Sequence, residues 1–191
     1  MNKQKIKEIV NKCLNEKCLC RSFFKYHKNY WYFIPLIAND KLFLSIEEDD
    51  FLIDGYHIRR FRDMEKAEVK DDLCCEILVK ENIINSIQTP NIDISNWETI
   101  FNSLNVLNKN IIVEKESLDD DESEFVIGRI EKVFKHHSYV RHFDADGIWQ
   151  DEPYKIPYTE ITSLTFGSRY IEVFSKYVNT SYPLKESSER D

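Results

Sequence analysis

From Lys5 to Leu14 the apolar residues Ile6, Ile9, Val10, Cys13 and Leu14 recur at steps of three and four. That spacing predicts an amphipathic helix lying on another surface. Beyond it the pattern shortens. Apolar-rich runs at Leu19–His27, Tyr30–Ala38, Lys41–Glu47, Phe51–Arg60, Met64–Lys70 and Leu73–Lys80 read as strands, separated by turn chemistry such as Asn39-Asp40, Glu48–Asp50 and Asp71-Asp72. Connections this short predict an antiparallel meander, because parallel pairing needs long crossovers.

The order then repeats. "SIQTPNIDIS" reads as a linker around Pro90, and Ser95 followed by Glu98 fits a capping box opening a helix that carries Trp97, Ile100, Phe101 and Leu104. Strands follow at Asn110–Glu116, Phe125–Phe134, Ser138–Phe143, Ile148–Tyr158, Ile161–Phe166 and Arg169–Tyr177, with "SLDDDESE" as a charged loop. Phe51-Leu52-Ile53-Asp54 aligns with Ile148-Trp149-Gln150-Asp151, and Tyr56-His57-Ile58 with Tyr154-Lys155-Ile156, an offset near 97 residues. The reading is an internal duplication: a mainly β chain with short helices, forming two tandem small antiparallel β-barrels of SH3-like type, each preceded by a helix. The expected domains are 1–88 and 89–180, with a flexible tail at 181–191. Closing a small sheet into a barrel covers its apolar face and removes its edges.

A helix and then five bent strands, with a Gly in the first strand (Gly128) and a tight turn before the last ("FGSR"), resembles the Sm-like barrel group. The stretch "RRFRDMEKAEV" looks like the end of the WYL-type barrels of bacterial regulators, in which an Arg-rich strand contributes to ligand binding. The Asp and Asn that Sm proteins use for base recognition are missing, as is a Trp-Tyr-Leu triplet. The second half, over about eighty residues, is similar to proteins of low-GC bacteria that carry no assigned activity. The resemblance implies a rim turn at Arg169-Tyr170 as an RNA-binding position.

Hydrophobic residues make up 42% of the 191, and aromatic residues 13%, enough for a packed core. No apolar run is long enough to span a membrane, and "MNKQKIKEIVNKC" lacks the apolar centre of a signal peptide, so a cytoplasmic protein without membrane contact is expected. Cys13, Cys18, Cys20, Cys74 and Cys75 are an odd number confined to the first half, poor arithmetic for disulfides and poor spacing for zinc. The net charge of −8 is uneven. Residues 1–90 carry 15 basic and 15 acidic side chains, residues 91–191 carry 11 and 19, and this disfavours broad attraction of nucleic acid to the second half.

Candidate chemistry is sparse. His136-His137 with His142 read as turn histidines rather than metal ligands, and Asp144-Ala145-Asp146-Gly147 as an Asp-Gly connection rather than a calcium loop. No G-x-S-x-G, P-loop or paired titratable groups in an apolar setting point to catalysis, so neither an enzyme nor a cofactor is expected. The cluster that stands out is His57, Arg59, Arg60 and Arg62 beside Tyr56, whose guanidinium groups suit phosphate or carboxylate. Its alternative is an ion-paired surface neutralised by Glu47, Glu48, Asp49 and Asp50. With Arg169 and Tyr170 these are the candidate ligand- or RNA-binding residues. Tyr30, Trp31, Tyr32, Phe33, Trp149, Tyr154 and Tyr158 exceed what two such barrels bury, so the expected activity is binding or regulation through protein contacts. Single-stranded RNA or a small anionic ligand is the alternative partner.

Overall fold

A computed structural model of the chain describes residues 1–178, so the expected tail at 181–191 lies outside the described residues. The first helix, α1 (Lys3–Glu16), is capped by the Asn2 side chain, which accepts from the Lys5 amide, and ends at Lys17 in the left-handed region. It buries Ile6, Val10 and Cys13, the stripe that the helical spacing predicts. Then come β1 (Cys20–Phe24), β2 (Tyr30–Ala38), β3 (Leu42–Asp49), β4 (Leu52–Arg60), a 3-10 turn at Phe61–Asp63 and β5 (Met64–Val69). Two short helices, α2 (Leu73–Lys80) and α3 (Ile83–Ser86), lead to α4 (Trp97–Leu107). The second half continues with β6 (Asn110–Lys115), β7 (Glu124–Val133), β8 (His137–His142), β9 (Tyr154–Pro157), β10 (Ser163–Phe166) and α5 (Arg169–Phe174).

All ten strands form one open antiparallel sheet in the order β5-β1-β2-β3-β4-β10-β6-β7-β8-β9. Each half therefore places its fifth strand beside its first, and the halves join where β4 pairs with β10. This corrects the expectation of two closed barrels. Joining the halves pairs the inner edges, β4 with β10, and leaves β5 and β9 as the edges of the sheet, while helices rather than the sheet itself cover the apolar faces.

The largest core cluster crosses the join. Leu42, Leu44 and Ile58 of the first half pack with Ile111, Val113, Val140, Leu164 and Phe166 of the second, beneath Ile100, Phe101 and Leu104 of α4 and Ile92 and Ile94 of the connecting segment. On the other face, α1 covers Phe24, Phe33, Phe43 and Met64, while Ile171 of α5 covers Ile112, Ile127 and Phe143. Between those two covered ends, none of the described helices packs over the middle of this face.

Several expected elements differ. Leu73–Lys80 is the helix α2, not a strand: Cys75 and Leu78 are buried while Glu76 and Val79 face solvent, a three-residue spacing hidden by a nearly continuous apolar run. Arg169–Tyr177 is not a strand either, because Ser168 caps a helix by accepting from the Ile171 amide. The turn at Gly167-Ser168 thus leads into α5. The capping box of α4 uses Asn96 and Thr99 instead of Ser95 and Glu98. The run Ile148–Tyr158 pairs regularly only over β9, with one isolated bridge from Trp149 to Phe143, since it starts from a turn at Gly147, φ +73°, and Pro153 interrupts it. Gly128 lies in β7, the second strand of its half, where a Cβ would stand 2.0 Å from the Arg141 carbonyl oxygen.

Candidate functional site

Alternation along β4 sets the site. His57 and Arg59 point to the face that carries α1 and α5, in the stretch between them, whereas Tyr56 and Ile58 point to the shared core. The register with β10 sets Thr165 opposite His57 and Ser163 opposite Arg59, and β6 then brings Ile112 and Glu114 alongside. The result is a groove of about 380 Å³ along the seam between the halves.

Its floor is ion-paired. Glu116, just after β6, takes a two-pronged contact from Arg59, with Nη1 donating to Oε2 at 3.1 Å and Nη2 at 3.0 Å from Oε1. The His27 Nε2 lies 2.6 Å from the same carboxylate. Burial pushes the Glu116 pKa up, but the His27 contact and the Arg59 charge outweigh it and bring it down to about 2. The Arg59 guanidinium also sits 4.4 Å from the Phe24 ring centre and 5.8 Å from that of Trp31. His57 has Nδ1 3.0 Å from the Thr165 hydroxyl and Nε2 3.2 Å from the Glu47 carboxylate.

Hydroxyl, imidazole and carboxylate in sequence would suit a relay. Thr165 is 5% exposed in the middle of β10, and its hydroxyl contact with His57 clasps β10 to β4. Above the floor stand three aromatic rings. Trp31 is half-buried, and Phe125 and Tyr170 are 54% and 55% exposed. Asp54 holds the start of α5 by accepting from the Arg169 amide at 2.5 Å, which seats Tyr170 on the rim.

The candidate residues separate into two groups. His57, Arg59 and Tyr170 meet at the seam groove, with Arg169 beside it in an adjoining hollow lined also by Asp54. Arg60 and Arg62 leave on the other side: Arg60 pairs with Asp63, and both arginines donate to the Thr159 carbonyl oxygen, at 3.2 and 3.1 Å. Arg59 and Arg60 are buried and partnered, while Arg62 is exposed. The sequence reading missed His27, Glu116, Thr165 and Phe125. Nothing local marks them, because they meet Arg59 and His57 only through the β4-β10-β6 order.

The remaining candidates stay apart. Among the described residues no group of three or more His, Cys, Asp or Glu is arranged for a metal ion. His136 is exposed, and Asp144 closes its own turn by accepting from the Asp146 and Ile148 amides, both at 3.0 Å. All five cysteines are free. Phe33 and Tyr158 belong to the interior, leaving Tyr30 exposed and Trp31, Tyr32, Trp149 and Tyr154 half-buried. No described helix is long and apolar enough to cross a membrane. Compared with known protein families, curated proteins and solved structures, the chain shows no significant match.

Proposed function

We propose that this chain is a non-enzymatic binding module that acts through protein contacts, and that the seam groove is its contact surface. The observation that carries the reading is the pairing of an aromatic rim, Trp31, Phe125 and Tyr170, with a floor already fixed by ion pairs. Exposed rings on a rigid base supply contact area at little entropic cost, and such rings concentrate at interfaces. The lining carries four carboxylates, from Glu47, Asp54, Glu114 and Glu116, against one guanidinium. That balance favours a segment bearing Lys or Arg, whose stem packs on the rings while its charge meets Glu114. It disfavours the phosphate backbone of RNA at this groove.

The test is retention of partners from cell extract by immobilised wild type and by the Phe125→Ala, Tyr170→Ala double variant. A protein held by the first and lost by the second supports the reading, and a Glu114→Lys variant should lose it as well. The same set of proteins held by all three forms would overturn it.

A further inference from the structure

On the far side of β4 from the seam, a second groove of about 520 Å³ opens between α1 and the start of α4. Lys3, Lys7, Lys41, Arg60 and Arg62 line it, against the single carboxylate of Asp40. Asp40 is 99% exposed at its side chain and 3.5 Å from Lys7, so solvent screens what it offers. In a chain of net charge −8, five cations at one cavity are a concentrated positive field.

Three of those cations are held in place. Arg60 is fixed by Asp63, and Arg62 donates one nitrogen to the Thr159 carbonyl oxygen, which leaves the rest of its fork toward solvent. Lys3 Nζ is held over the end of the 3-10 turn by the carbonyl oxygens of Arg62, at 2.9 Å, and Met64. Lys41 is exposed. The walls are apolar, with Leu42 and Phe61 buried and Trp97 half-buried. The volume matches pockets for small organic ligands, about 300–1,000 Å³, and far exceeds what a bare phosphate ion fills.

We propose that this groove binds a mononucleotide, its phosphate held by Arg62, Lys41 and Lys3 and its base laid against Trp97. An arginine fork and flanking ammonium groups are the donors that phosphate recognition uses, and an indole face accepts any base. The site shares no lining residue with the seam groove, and the two readings stand or fall separately.

The experiment is a fluorescence anisotropy titration of N-methylanthraniloyl-labelled AMP with the full chain, competed with unlabelled AMP, with inorganic phosphate and with a single-stranded oligoribonucleotide. Saturable binding is expected, weakened about tenfold or more by Arg62→Glu and by Lys41→Glu, as loss of a charge-assisted contact implies. Trp97→Ala should weaken it about tenfold, Trp97→Phe should largely restore it, and Phe125→Ala should leave it unchanged. Both charge reversals lie on exposed residues, so unaltered melting curves will show that the fold is intact. Absence of binding at millimolar AMP, indifference to Arg62→Glu, or displacement by phosphate as effective as by AMP would each overturn the proposal. So would binding of the oligoribonucleotide alone.

Discussion

Glu116 is the residue on which the seam's electrostatics turn. Its folded pKa of about 2 lies below the ordinary 4.5, so the ionised carboxylate favours the folded state. A depressed acid contributes its stability above the unfolded pKa and loses it as the pH falls through the folded one. That window runs from about pH 5 down to pH 2, and the shift corresponds to about 3 kcal/mol. Chemical denaturation across this range should show wild type losing that amount relative to Glu116→Gln, so that the difference between the two is greatest at neutral pH and about 3 kcal/mol smaller near pH 2. At neutral pH the variant should be less stable by about 3–5 kcal/mol, because Arg59 is left buried without its partner. Gly128 poses a steric limit of a different kind. A methyl group 2.0 Å from the Arg141 carbonyl oxygen cannot be accommodated without parting β7 from β8, so Gly128→Ala should cost about 3 kcal/mol in urea denaturation.

Among the elements, those with one clear period were legible in the sequence and those with two were not. The stripe Ile6, Val10, Cys13 gives α1, and β2 spans the Tyr30–Ala38 expected of it. Leu73–Lys80 and Arg169–Phe174 are rich in branched and aromatic side chains, which favour strands, but each carries a buried residue and a solvent face that tertiary packing turns into a helix. Cap choice shows the same ambiguity at a scale of one residue. Asn96 accepts from the Thr99 amide at 3.1 Å while the Thr99 hydroxyl accepts from the Asn96 amide at 3.2 Å, so Asn96→Ala should cost about 1 kcal/mol. Ser95→Ala, at the position the sequence suggests, should stay within about 0.5 kcal/mol, and thermal denaturation of the two variants separates them. The candidate basic cluster was visible as letters, but its division was not. Strand alternation sends Arg59 to the seam and Arg60 to the opposite side, and Glu116 joins Arg59 from fifty-seven residues away.

For the whole molecule, a helix followed by five strands in each half is legible in the sequence, but how the halves combine is not. Two such halves could close separately or merge, and the difference lies in what the fourth strand of the first half pairs with. Here it meets β10, and Leu42, Leu44 and Ile58 share their core with Leu164, Phe166 and α4. A first half cut at residue 88 would expose those three side chains together with the polar edge of β4, and would strand Arg59 without Glu116. The chain should therefore unfold in one step, with tryptophan fluorescence, which reports Trp31 in one half and Trp97 and Trp149 in the other, tracking far-ultraviolet circular dichroism at every urea concentration. The 1–88 fragment alone should show no cooperative transition, and mixing it with a fragment of residues 89–191 should restore one. Two resolved transitions in the intact chain, or a sharp transition in the isolated fragment, would mean that each half holds its own core and that the β4-β10 pairing adds little to stability.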